Sequence, residues 1–197
     1  AAEHNERFGW TALVRNDMVK SDRGYGIFHA ELDTTIAVKG TLKSGSIDYP
    51  VAYSGTGKGW NLIANPYPCT IDWNTGTVKT AIENAIYIWD SANGRYMSYN
   101  GSTGTNGGSQ YIAPLQGFFV KASQAGNVTF AESAKTASAS TFKSAELQTI
   151  VRLALSDAQG ATDESVIRFH ALASEAFDGN LDAYKLKPST SLTPQLY

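Results

Sequence analysis

Gly59-Trp60-Asn61-Leu62-Ile63-Ala64-Asn65-Pro66-Tyr67-Pro68-Cys69-Thr70-Ile71-Asp72-Trp73-Asn74 is the stretch from which the fold is read. Residues 60–64 predict a strand, with Trp60, Leu62 and Ala64 on one face and Asn61 and Ile63 on the other. The strand breaks at Asn65-Pro66-Tyr67-Pro68. Each proline fixes its own φ, removes a backbone donor and drives the preceding residue to extended geometry. The chain therefore leaves its sheet as a stiff, aromatic-bearing corner that Trp73 closes. Such a corner is either a structural plug or a binding surface.

The 197 residues are rich in Gly, Ser, Thr, Asn and Tyr and poor in Met and Cys, a composition that suits an all-β extracellular protein with many turns. A net charge of −2 gives no support for nucleic-acid or anionic-membrane partners. No apolar run is long enough to span a bilayer, so membrane insertion is not expected. The chain begins Ala1-Ala2-Glu3, which reads as a processed or excised piece whose localisation signals lie outside it. Cys69 is the only cysteine, so no intrachain disulfide forms, and it reads as a small loop side chain rather than a nucleophile.

Strand signals recur along the chain. Residues 10–15, 23–28, 35–42 and 48–53 precede the opening stretch, with Pro50 marking an edge or bulge. The glycines of Arg23-Gly24-Tyr25-Gly26 allow close backbone approach. Val78, Ala81 and Ile82 share a helical spacing, which predicts one or two turns of helix over 77–84. Residues 85–90 form the strongest strand, and Asn93-Gly94 turns it into a hairpin with 95–100. Strands follow at 116–122 and 128–130. Residues 131–145 shift to Ala, Ser, Thr and Lys and read as a linker. Beyond it, 149–155 and 164–169 form a hairpin, 171–177 a short helical turn and 182–186 a last strand. The expected fold is all-β, an antiparallel, jelly-roll-like β-sandwich of one or two packed units with one or two short helices. The expected domains are a main unit over 1–130, a connection over 131–145 and a smaller β unit over 146–197.

Several passages in order resemble a group of modular secreted and cell-surface β-sandwich proteins of Bacteroidetes that carry a C-terminal sorting domain for type IX secretion. The passages are the 59–68 segment with Ile71-Asp72-Trp73, Ile86-Tyr87-Ile88-Trp89-Asp90 with Asn93-Gly94 and Tyr96, Ile112-Ala113-Pro114 with 116–121, 163–169, Phe177-Asp178 and 181–186. The resemblance spans roughly residues 23–197, and the sorting domain itself is not among them. It implies an exported, surface-associated protein, and it implies no reaction.

Aromatic faces on a β-sandwich can stack against sugar rings. Tyr67, Trp73 and Tyr99, in loops or at strand ends, are the candidate glycan-binding residues, while Trp60 and Trp89 read as core. Asp178 and Asp182 flank Gly179-Asn180 and form the better of two oxygen-rich loops for Ca²⁺, against the favoured reading of ordinary solvated turns and no cofactor. Thr34 and Ser91 lie in Asp-Thr-Thr and Asp-Ser-Ala triplets similar to the O-glycan acceptor of Bacteroidetes. Asp72, Glu83 and Asp90 lie near the aromatics but single out no glycosidase pair. His4, His29 and His170 are scattered, so no catalytic residue is nominated. The expected function is a non-catalytic structural or adhesive module of a surface protein or extracellular assembly, contacting other domains or copies of itself. The alternative is a carbohydrate-binding module attached to a polysaccharide-acting enzyme.

Overall fold

Backbone hydrogen bonds organise this chain as antiparallel strands. A computed structural model describes residues 1–5, 9–14, 17–27, 39–137, 149–188 and 194–197. In chain order the strands are β1 (Ala2–Asn5), β2 (Gly9–Ala12), β3 (Tyr25–Gly26), β4 (Ile47–Val51), β5 (Trp60–Ala64), β6 (Ile71–Asp72), β7 (Thr77–Val78) and β8 (Ile82–Asp90). There follow β9 (Arg95–Tyr99), β10 (Gly104–Thr105), β11 (Tyr111–Ile112), β12 (Gly117–Ala122), β13 (Gly126–Phe130), β14 (Ile150–Ser156) and β15 (Thr162–Arg168). The fold is all-β and sandwich-like, built of antiparallel sheets. Of the expected short helices, the described residues form a single 3-10 turn, Glu132–Ala134.

The chain divides into two compact units. One is Ala1–Glu83 with Tyr111–Ala139, the other Asn84–Gln110 with Ser140–Tyr197. The contacts group 84–110 with the C-terminal segment, whereas the sequence places it in a main unit over 1–130. The bonds responsible join residues far apart in sequence. Asn106 Nδ2 donates to Asp163 Oδ1 at 2.9 Å, Asn100 Nδ2 to the Leu181 carbonyl at 2.6 Å, and the Tyr184 N–H to Tyr87 Oη at 2.8 Å.

In the first unit, β13 lies between β4 and β7, and β12 pairs with β5 along all five residues of that strand. Pro50 sits on β4 at the edge of its sheet, as a residue lacking a donor must. Phe118 of β12 meets Phe130 of β13 edge-on at 6.4 Å, and Trp73 closes on both, at 5.7 and 6.2 Å. Tyr49 of β4 adds an edge contact to Phe130. Each such ring, fully buried, stabilises the fold by about 1.5–3 kcal/mol. Leu62 and Ile63 are both buried, so β5 is covered on both sides rather than on one. Gly24 lies hard against this strand's backbone: a Cβ there would sit 2.6 Å from the Ile63 carbonyl oxygen and 2.9 Å from Leu62 Cγ, beside the Leu62 carbonyl to which the Gly24 N–H donates.

The 65–68 corner is a plug. Asn65 is 1% exposed, and its Nδ2 serves the carbonyls of Cys69, Ala113 and Ile112 at 2.8, 3.0 and 3.1 Å. Its Oδ1 accepts the Tyr67 N–H at 2.9 Å. Tyr67 is fully buried, with its hydroxyl proton shared between the Gly45 and Phe130 carbonyls at 2.6 and 2.9 Å. The Lys135 ammonium lies 4.3 Å from the centre of its ring.

Local expectations fail where few residues carried them. Residues 77–84 form no helix: Thr77 and Val78 pair with Phe130 and Thr129, Val78 is exposed and Ala81 buried, so the three apolar residues do not share a face. Residues 171–177 form no helical turn and 182–186 no strand. Within the expected linker, residues 131–137 are folded: Ala134 is buried, the Ala131 N–H bonds the Gly76 carbonyl and the Thr136 N–H that of Thr70. Residues 138–145 lie outside the described residues, as do 35–38 of the expected 35–42 strand and the ends of those at 10–15 and 23–28; residues 39–42 are described and form no strand.

Replacing Asn65 by Asp keeps the shape and exchanges two donor hydrogens for a second acceptor oxygen facing three carbonyls. Asn65→Asp is expected to destabilise the first unit by about 2–4 kcal/mol. Urea unfolding followed by the fluorescence of buried Trp73 checks it.

Candidate functional site

The second unit presents a loop on a rigid base. Strands β8, β9 and β10 form a meander through the Asn93-Gly94 turn, with Asp90 opposite Arg95 and Tyr99 opposite Gly104. Gly94 takes φ 61°, the left-handed geometry such a turn needs. Strands β14 and β15 pair over seven residues. Between Arg168 and Lys187 the chain has no regular structure and is shaped by two aspartates instead. Asp182 Oδ2 accepts the Asp178 N–H at 2.7 Å, Asp178 Oδ1 accepts the Asn180 N–H at 2.8 Å, and the Asp182 N–H returns to the Asp178 carbonyl at 2.7 Å. The closed turn is clamped to the meander where the Asn84 N–H donates to the Gly179 carbonyl and Asn100 Nδ2 to that of Leu181.

This turn brings Phe177 and Tyr184 together. Their rings stack at 4.2 Å and 29°, and both stay partly open to solvent, at 47% and 37%. They border a cavity of about 340 Å³, near the lower end of the 300–1,000 Å³ typical of ligand clefts. Ser98, Thr105, Arg168 and His170 also line it. The chemistry is mixed: flat apolar rings on one part, hydroxyl, guanidinium and imidazole groups on the rest.

Most of the charges around this cavity are committed to one another. Glu164 Oε1 accepts from Arg152 Nη1 at 2.8 Å and from the Asn106 N–H at 3.0 Å. Lys185 Nζ donates to Asp163 Oδ1 at 2.5 Å and to the Glu164 carbonyl at 2.8 Å. Arg168 differs. It is half-buried, its Nη1 donates to the neutral Ser102 Oγ at 2.5 Å, and among the described residues it has no carboxylate partner.

Asp163, 1% exposed, holds the base together. Its Oδ1 takes Lys185 Nζ and Asn106 Nδ2, and its Oδ2 the Leu196 N–H at 2.8 Å. Burial pushes its carboxyl up. The Leu196 N–H, the Lys185 ammonium and the Asn106 amide together outweigh this and hold it below the usual aspartate range.

The residues nominated for glycans, Tyr67, Trp73 and Tyr99, are buried at 0, 0 and 6% exposure, so none offers a face to a sugar. Tyr67 and Trp73 belong to the first unit's core, and Tyr99 faces Gln110 Oε1 with its hydroxyl at 3.3 Å. Trp89, read as core, is instead 40% exposed, in an edge contact with Tyr96 across the hairpin at 5.0 Å. Asp178 and Asp182 do converge, and each accepts a backbone N–H of their own turn. Among the described residues no three His, Cys, Asp or Glu gather as metal ligands. Ser91 is exposed in the turn after β8, and Thr34 lies outside the described residues. Sequence reasoning missed Phe177, Tyr184 and Arg168. The available signal was a pair of aromatics flanking an Asp-Gly-Asn turn.

A family model described as a domain of unknown function, DUF8693, matches residues 15–193. The chain belongs to this family. No curated protein and no solved structure matches it.

Because Asp163 is held below its unfolded value, its contribution is full above the ordinary aspartate range and is lost as pH falls through the folded value. Urea midpoints of the wild type are therefore expected to drop below about pH 4, the ordinary aspartate value. Asp163→Ala, which leaves Lys185 without its buried carboxylate, is expected to cost about 3–5 kcal/mol at neutral pH and to flatten this acid limb.

Proposed function

We propose that this member of the DUF8693 family is a non-catalytic structural or adhesive module of an exported bacterial surface protein or extracellular assembly, and that it associates with copies of itself. The observation that carries the proposal is an apolar row on the second unit's hairpin. Val151, Leu153 and Leu155 alternate along β14, each at least 40% exposed, and Ile167 lies opposite Val151 on β15 at 49%. Exposed apolar surface of this extent on a strand marks a contact surface. β14 pairs only with β15 among the described strands, and a two-stranded ribbon gains most by extending its sheet. A second β14, brought antiparallel by a two-fold axis, offers a matching apolar row, and a net charge of −2 opposes this little.

Support for a non-catalytic role comes from how the carboxylates are used. Asp72 accepts from the Asn74 N–H and Thr75 Oγ1, and Asp90 from both nitrogens of Asn93. These are turn-forming bonds. Glu83 is different, with a buried Oε2 and a carboxyl pushed up by burial, but it does not line the cavity beside Phe177 and Tyr184. Export to the cell surface is supported by the resemblance to modular secreted proteins of Bacteroidetes. A second reading, saccharide binding, is favoured by the Phe177–Tyr184 stack beside its cavity.

Sedimentation analysis over a wide concentration range tests the first reading. The wild-type chain is expected to shift from monomer to dimer as concentration rises. Leu153→Lys is expected to stay monomeric with an unchanged melting temperature. A wild type that remains monomeric throughout overturns self-association through β14.

A further inference from the structure

We propose that the cavity of the second unit binds the carboxylated sugar residues of an acidic polysaccharide, with Arg168 receiving the carboxylate and the Phe177–Tyr184 stack receiving the ring. The inference rests on the saccharide-binding reading and adds the class of sugar. Three features of the cavity carry it.

The first is the charge left over. Glu164, Lys185 and Asp182 spend their charged groups on bonds inside the unit, whereas the half-buried Arg168 guanidinium has only the Ser102 hydroxyl as a described partner. A guanidinium carries five N–H donors in a planar fork that matches a carboxylate two by two. An incoming carboxylate therefore finds unused donors on a cation that no protein carboxylate neutralises. An uncharged hydroxyl gains less from the same group.

The second is the flat surface beside that cation. In the stack, Phe177 and Tyr184 use one face of each ring on the other, and both remain substantially exposed. The C–H face of a pyranose packs on such a surface, and the pairing stiffens each ring before binding, which lowers the ordering cost. The turn that holds the pair is itself fixed by the Asp178–Asp182 bonds and by the clamps to Asn84 and Asn100.

The third is the remaining lining. Ser98, Thr103 and Thr105 contribute hydroxyls, and His170 accepts the Leu172 N–H through Nδ1, which leaves Nε2 as a donor in the neutral ring. Groups that both donate and accept suit the hydroxyls of a sugar better than they suit an aliphatic or aromatic acid. The cavity volume of about 340 Å³ accommodates a small ligand portion rather than a long chain, so one residue of the polymer enters and its neighbours lie outside.

Calorimetric titration of the whole chain with trigalacturonate, and in parallel with the neutral galactose trimer, tests the proposal. Trigalacturonate is expected to bind at least tenfold more tightly than the neutral trimer, and added NaCl to weaken it. Arg168→Gln is expected to lose about tenfold for the acidic sugar and little for the neutral one. Arg168→Lys, which keeps the charge but not the fork, is expected to fall between. Phe177→Ala, at an exposed position where the fold is not at stake, is expected to weaken both sugars. Thermal melts of each variant separate loss of binding from loss of fold. Equal affinity for the two trimers, with Arg168→Gln unaffected, overturns the acidic-sugar inference and leaves saccharide binding standing. Binding of neither trimer overturns both.

Discussion

The side-chain amide of Asn65 is the constraint on which the first unit depends. A corner containing Pro66 and Pro68 has lost two backbone donors, and the carbonyls of Cys69, Ile112 and Ala113 around it, that of Ile112 buried, need partners. One buried amide answers for them. It serves three carbonyls with its nitrogen and steadies the Tyr67 backbone with its oxygen, so the exit from β5 and the approach to β12 are set by the same group. Tyr67 then extends the link to Gly45 and Phe130, tying the corner to the sheet of β13. The aromatic core of Trp73, Phe118 and Phe130 closes over a geometry already fixed by hydrogen bonds.

The second unit solves an analogous problem with charge. Asp163 gathers Lys185, Asn106 and Leu196 around one buried carboxylate. The difference has a consequence for behaviour. An amide hub is indifferent to pH, whereas a carboxylate hub weakens in acid, so the two units differ in their response although both are all-β. The second unit also carries the exposed features, the apolar row on β14 and the cavity beside Phe177 and Tyr184. A rigid hub beneath an irregular loop is the usual arrangement by which a β scaffold displays a surface without losing it to disorder.

Strand positions were legible because period-two alternation and turn residues are local. Asn93-Gly94 made the β8–β9 hairpin, Gly24 allowed the close approach to Ile63, and the hairpin of 149–169 appeared nearly where the pattern put it. The 78–82 segment misled because three apolar residues are too few to distinguish a helical face from a strand, a turn and the start of another strand. The candidate site was less legible. Tyr67 and Trp73 had the composition of a sugar platform but served as core, while Trp89, placed in the core, lies on the surface. The aspartates of 178 and 182 were recognised as a pair, and their partners proved to be backbone N–H groups of their own turn.

The sequence by itself determined the all-β class, most strands, the edge position of Pro50 and the stiffness of the 65–68 corner. Each follows from backbone preferences acting over a few residues. Tertiary structure alone decided that 84–110 belongs with 140–197, that Asn65 and Asp163 are hubs, and that Phe177, Tyr184 and Arg168 share a cavity. Burial and hydrogen bonding are relations between residues separated by up to about a hundred positions, as Tyr87 and Tyr184 are. No local pattern encodes such a relation, so which aromatic is buried and which is displayed emerges only when the chain has folded.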